Sequence, residues 1–317
     1  MKDGVVQYYL NPDNLAYKAD GTSAATINSI TAGDVMIEIP KLGFKMTTDG
    51  TYHYIWVTDD PAADGYCYLA HSLSSVGDCD KIYIGAYLGY ISGSKLYSIS
   101  GQTLQVDTNL TNFRTYATAR GTGYQLVSFY PLTLLQCLYL IRYKDRNGQS
   151  ALGKGYTSAS AKTTSGGTNA RGTDYGDTAG TAQMCFLNIE DFWGNLYWWI
   201  DGIYCDSSYN IKTAFKDFSD TGTNYAYSKA GGITSNIGNY MSDIQGTNQG
   251  GFVAKAVSGS ATTYYADYAA LCAGYCAFFG GGWNGGGGAG PFRFVVSYAA
   301  SYSDSYLGAR LMYKHTV

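Results

Sequence analysis

The chain has 317 residues, enough for one large domain or two modest ones with a self-sufficient core. Charged residues make up 14% of it and the formal net charge is −3, so no basic stripe is present for a nucleic-acid backbone, while 45% hydrophobic residues exclude a disordered chain. No apolar run reaches the roughly 18 residues of a membrane-spanning helix, which excludes membrane insertion of that kind, and the opening MKDGVVQYYLNPD lacks the apolar stretch of a signal peptide, so a chain without its own Sec leader is expected.

From Gly33, GDVMIEIP sets Val35, Ile37 and Ile39 against Met36 and Glu38, the alternation of a half-buried strand stopped by Pro40. TYHYIWV (Thr51 to Val57) repeats it, and KIYIGAYLGY (Lys81 to Tyr90) with KLYSIS (Lys95 to Ser100) reads as a hairpin closed by Ile91 to Ser94. The first hundred residues thus predict a β-rich part, either accessory strands or a small subdomain. Two helices are predicted next. NLTNFRTYATAR (Asn109 to Arg120) puts Leu110, Phe113 and Ala117 on one face before Gly121 as a terminating glycine, and Pro131 at a first helical position precedes LTLLQCLYLIRYKD, which is apolar nearly all round and so buried. Asn147 to Asp177, rich in Gly, Ser and Thr, predicts a long surface excursion. From Cys185 the β character returns: Leu196, Trp198 and Ile200 face one way and Tyr197 and Trp199 the other, and short β-like pieces follow from Gly250 to the end. The order β, two helices, irregular β predicts an α+β fold.

At this point particular strings carry a resemblance. GNLYWWIDG (Gly194 to Gly202) resembles a strand of the formylglycine-generating-enzyme branch of the C-type lectin fold. The tail GGWNGGGGAGPFRF (Gly281 to Phe294) with GARLMYK (Gly308 to Lys314) resembles the C-terminus of variable proteins diversified by retroelements, above all those of gut bacteriophages, and YYLNPDNLAYKADGT and GDVMIEIPK look like the same group. The resemblance implies a C-type lectin domain over 101–317, with short irregular strands and long loops. In such proteins adenines of AAC codons are mutated to give NNC codons, which cannot encode Glu, Gln, Lys, Met or Trp. From Ala256 to Ala309 there is no Glu, Gln, Lys or Met, and Trp283 falls on the family's fixed position. The resemblance therefore implies that 256–309 is a variable ligand-binding region. It further implies a receptor-binding protein on a phage tail fibre of the virion, with a host-cell surface protein or glycan as partner. A homotrimer or attachment to a tail-fibre protein would fit such a setting, and the alternatives are a bacterial surface adhesin of the same fold and an enzyme related to the formylglycine-generating oxidase.

Tyr, at 32 residues, and Gly, at 41, are in excess, and a Tyr/Ser/Gly alphabet suits displayed contact surface because Tyr offers large amphipathic area at little rotamer cost. The candidate contact residues are Tyr264, Tyr265, Tyr268, Cys272, Tyr275, Arg293, Ser297, Tyr298, Tyr302, Asp304 and Tyr306; the candidate framework residues are Trp198, Trp283, Phe292, Phe294 and Arg310. Chemistry is expected of none of them. GGGWNGGGG lacks the Lys-Ser/Thr of a phosphate-binding loop, the three histidines lie on separate segments, and the tail holds no Glu-Pro-Asn calcium set. Cys272 and Cys276 lie near the place of the enzymes' catalytic thiol pair but are spaced one residue closer, which puts that role in doubt. The seven cysteines form no CxxC pair, so neither a disulfide framework nor a zinc site is indicated, and no cofactor or metal is expected.

Overall fold

The alternation in the aromatic stretch decides where the two cores lie. The structure, a computed structural model, describes residues 1–230 and 232–315. Tyr197–Cys205 is a long strand whose successive side chains point to opposite faces. Leu196, Trp198 and Ile200 fill the larger core, whereas Tyr197 and Trp199 belong to a smaller one. The strand is therefore a wall with apolar packing on both sides.

An eight-stranded sheet is built on it, in the order Tyr227–Ala230, Asn210–Thr213, Tyr197–Cys205, Tyr275–Phe279, Phe294–Tyr298, Tyr268–Leu271, Ile237–Tyr240, with Leu307–Gly308 running parallel to Tyr197 and Trp198. Phe294–Tyr298 and Tyr268–Leu271 are also parallel to each other; the other pairs are antiparallel. A second, four-stranded sheet runs Met36–Pro40, Lys81–Gly85, Leu311–Lys314, Tyr124–Leu126. It ties the first part of the chain to the last, with Ile84 opposite Met312. With its few helices set against these sheets, the class is α+β as expected.

Local chemistry explains most element ends. In the helix Leu110–Thr118 the Asn109 side chain accepts from the Asn112 N–H at 2.9 Å, and Leu110, Phe113 and Ala117 form its buried face. The helix stops short of the predicted Arg120, so Gly121 lies beyond the cap. In Phe129–Tyr143, Pro131 is the third residue and not the first, a place where a missing N–H still costs nothing. That helix is buried almost throughout its first three turns and ends at Lys144 in the left-handed conformation, whose N–H returns to the Leu140 carbonyl.

Two expectations change. The hairpin is real but shorter than predicted: Tyr90–Ser92 pairs with Lys95–Tyr97 across Gly93 and Ser94, both at positive φ, the geometry of a two-residue I′ turn. Lys81–Gly85 leaves it, because the Ala86 N–H turns to Val35 O and the Tyr87 N–H to Ser98 Oγ, and its own ladder goes to the C-terminal strand. The excursion after Asn147 is also less superficial than its composition suggests. Buried Glu190 accepts from the Gly166 and Thr168 N–H groups at 2.7 and 2.8 Å and from the Thr168 hydroxyl at 2.9 Å, pinning the middle of the loop to the core.

Candidate functional site: a tyrosine-lined cleft over the sheet

Strands Tyr275–Phe279, Phe294–Tyr298 and Tyr268–Leu271 lie side by side, and their alternation sorts their residues. Phe294, Val296, Ala277, Phe279, Ala269 and Leu271 go to the larger core; Val295 and Phe278 go to the other side. Strict alternation would send Tyr298 inward with Val296. A bulge prevents it: Cys276 pairs with Tyr298 and Ala277 with Val296, which leaves Ser297 as an extra residue. Bulges re-aim side chains in this way. Tyr298 lands on the side of Phe278, its ring 5.2 Å from Phe278 and 4.1 Å from Tyr302.

The result is an open cleft of about 440 Å³, within the range of small-ligand sites. Its floor is Phe278, Val295 and Ala270, and its walls are Tyr197, Tyr268, Tyr298 and Tyr306, with Ser297, Asn284 and Gly285 on the rim. Arg293 reaches in between two of these walls, its guanidinium carbon 4.9 Å from the Tyr197 ring centre and 5.5 Å from that of Tyr268. Its Nη1 donates to the Gly285 carbonyl at 3.3 Å, and its buried Nε has no hydrogen-bond partner. At one end the Tyr302 hydroxyl donates to Asp304 Oδ2 and meets the Tyr306 hydroxyl, both at 2.7 Å. Burial, then the Tyr302 hydroxyl and the Asp304 carboxylate, pushes the Tyr306 phenol up, so it remains a neutral hydroxyl at ordinary pH. Burial works against Asp304, yet bonds from Tyr302 and Ser305 hold its carboxyl below the usual range.

Of the residues singled out in the sequence, Tyr268, Arg293, Ser297, Tyr298 and Tyr306 line the cleft, and Tyr302 and Asp304 adjoin it. Tyr264 stands apart on a loop, 51% exposed. Cys272 and Tyr275 are half-buried at strand ends and do not line the cleft. Burial pushes both tail thiols up, Cys276 to about 12, and all seven cysteines are free. Tyr265 is a correction. It is 5% exposed and packs its ring on Phe292 at 5.2 Å with the Arg146 guanidinium over it, so it belongs to the core, not to a contact face.

The framework residues lie behind the cleft. Phe292 packs against Tyr139, Phe252 and Tyr265, and Phe294 against Phe129 and Phe279. Trp283 is half-buried, its N–H donating to Asn195 O while its carbonyl accepts from Ala159. Fully buried Arg310 lies over the Trp198 ring at 4.1 Å and donates to the carbonyls of Gly85, Ala86, Glu190 and Asp191. The glycine-rich loop is held by its backbone. Gln149 Nε2 donates to Gly286 O and Ala289 O, Gln136 Nε2 to Pro291 O, and the Phe292 N–H to buried Asp267. Gly290 must lack a side chain here, because a Cβ would meet Asp267 Oδ1 at 2.2 Å.

Similar structures are the Major Tropism Determinant variants M1, U1 and P3c. The M1 variant is 11% identical with a TM-score of 0.37, covering 100% of this chain and 85% of that one. The U1 and P3c variants are 12% and 14% identical, each with a TM-score of 0.35, covering 95% of this chain and 76% of theirs. No family model matches the chain, and no curated protein matches it.

Sequence reasoning missed Tyr197, Ala270, Phe278, Asn284, Gly285 and Val295 as cleft residues. Tyr197 was within reach, since the alternation already set it opposite Trp198. A smaller cavity of about 180 Å³ lies under the N-terminal arm beside Met36–Pro40. Its two acids are already paired, Glu38 with Lys81 at 2.8 Å and Asp34 with Arg120 at 2.7 Å, and the Met1 ammonium donates to the Asp34 carbonyl.

Proposed function

We propose that this chain is a receptor-binding protein of the C-type lectin type whose segment 256–309 is a variable surface, carried on a phage tail fibre and directed at a host-cell surface ligand. The observation that carries this reading is the sorting of residues within single strands. Phe294, Val296 and Phe279 fill the core, while Arg293, Ser297 and Tyr298 from the same stretches line the cleft. A surface built that way tolerates replacement of its outward side chains without loss of the inward ones. The depletion of Glu, Gln, Lys and Met from Ala256 to Ala309 supports the genetic part of the reading. Burial pushes the Cys272 and Cys276 thiols up, which argues against a nucleophilic role for either.

Fluorescently labelled protein should adsorb to some bacterial strains and not others, and the double variant Tyr298→Ala/Tyr306→Ala should lose that adsorption while remaining folded. Sequencing the neighbouring DNA should show a near-identical template repeat beside a reverse-transcriptase gene. Adsorption unchanged by the double variant would overturn the assignment of the cleft; a locus without the repeat would overturn the diversification.

A further inference from the structure

We infer that the cleft takes a carboxylated sugar, seated with its carboxylate against Arg293; this rests on the ligand-binding reading above. Among the described residues lining the cleft there is one cation, Arg293, and no carboxylate. None of the ion pairs among the described residues includes it. Its hydrogen bonding is thin, a single long bond from Nη1 and none from Nε. Asp267 lies behind it, but that carboxyl is fully buried and occupied with the Phe292 N–H. Holding a guanidinium half out of water with no carboxylate bonded to it is costly, and Asp267 behind it and the flanking rings of Tyr197 and Tyr268 offset only part of the cost. Nε is buried, but the two terminal nitrogens form a planar fork that matches a carboxylate, which would supply acceptors to them.

The rest of the cleft favours a sugar over an acidic peptide. The floor strand Phe294–Tyr298 is flanked on both sides, by Tyr275–Phe279 and Tyr268–Leu271, so no free strand edge is offered for a peptide to extend. What the walls offer is ring faces and side-chain polar groups: Tyr268, Tyr298 and Tyr306, with Ser297 and Asn284. A pyranose presents the complementary pair, an apolar ring face and a fringe of hydroxyls, and a cleft of about 440 Å³ suits a short saccharide.

Isothermal titration of the purified chain with sialyllactose, trigalacturonate, lactose and hexaglutamate tests this. At least one of the two carboxylated sugars should bind, with lactose and hexaglutamate each about tenfold weaker or more, a difference of about 1.4 kcal/mol. Arg293→Gln should lower the affinity about tenfold with the melting temperature moved by less than about 2 °C, and Arg293→Lys, which keeps the charge and loses the fork, should fall between. Lactose binding as well as the acids, hexaglutamate binding more tightly than either sugar, no binding by either acid, or affinity indifferent to Arg293→Gln would each overturn the inference. If Arg293→Gln fails to fold, the ligand panel on the unaltered chain and the lysine variant still decide. Adsorption to cells that survives Arg293→Gln but not Tyr298→Ala/Tyr306→Ala would sink the acidic ligand and leave the cleft standing; adsorption indifferent to both would sink the functional reading itself.

Discussion

Tyr264 and Tyr265 are neighbours of one residue type, and replacing each by Ala separates surface from framework in the tail. Tyr264 is 51% exposed and Tyr265 5%. A buried aromatic side chain removes about 150–250 Å² from water; at about 25 cal/mol per Å² that is about 4–6 kcal/mol, and truncation to Ala, which keeps the Cβ, costs about 3–5 kcal/mol. Tyr265 also loses its edge contact with Phe292 and leaves the Arg146 guanidinium without its ring. Tyr264 keeps half its surface in water and adopts a left-handed φ of 55°, so its truncation should cost less than about 1 kcal/mol. At about 2–3 °C per kcal/mol, the gap of about 3 kcal/mol becomes a difference of about 6–9 °C in melting temperature. Thermal unfolding followed by near-ultraviolet circular dichroism, with urea midpoints as a check, reads it. Equal shifts for the two variants would refute the division of the tail into core and display.

Arg310→Lys should cost about 3–5 kcal/mol by urea unfolding, because an ammonium cannot serve the four carbonyls of Gly85, Ala86, Glu190 and Asp191 from its place over the Trp198 ring. Asp267→Asn keeps an acceptor for the Phe292 N–H and should be nearly neutral, whereas Asp267→Ala strands that donor and should cost about 1–3 kcal/mol and speed amide exchange in the glycine-rich loop. Buried His71 accepts from the Leu42 N–H through Nε2, and burial followed by Lys314 and Lys41 pushes its pKa down to about 3. A depressed folded pKa means stability present above the unfolded value of 6.5 and lost as pH falls towards about 3, by roughly 4–5 kcal/mol at most. Urea midpoints for His71→Gln should be flatter over that window than those of the unaltered chain, and a parallel pair of curves would refute the assignment.

What could be read from the sequence is what depends on near neighbours. Alternation through Leu196, Tyr197, Trp198, Trp199 and Ile200 gave the two faces of the strand, because strand geometry makes face a matter of parity, but not that each face packs into its own core. The helix carrying Leu110, Phe113 and Ala117 followed from spacing in the same way. Long-range choices were not legible. Nothing local tells Lys81–Gly85 to leave its hairpin for Leu311–Lys314, and nothing near Gly166 and Thr168 shows that Glu190 will hold them. For the site, the residue alphabet pointed to the segment that supplies most of the cleft lining, but not to individual faces. The bulge at Ser297, which places Tyr298 in the cleft, depends on pairing with Cys276 and Ala277 across the sheet, and Tyr265 is buried by Phe292, 27 positions downstream by the numbering.

How a surface can change without unfolding its bearer depends on which atoms hold the backbone. Behind the cleft the fastening is done by side chains that do not line it. Gln136 and Gln149 lie outside 256–309 and bind carbonyls of the glycine-rich loop, and Asp267 binds a backbone N–H from within the core. Because these partners are main-chain groups, these bonds do not depend on the identity of the outward side chains. The group Tyr298, Tyr302, Asp304 and Tyr306 is different, since its members hold one another by ring contact and hydroxyl bonds. Contacts of that kind are not additive. On the proposed reading, exchange at Tyr268 changes ligand contact, exchange at Arg293 also removes its bond to the Gly285 carbonyl, and exchange within the tyrosine–aspartate group also changes the shape of the turn that closes the cleft.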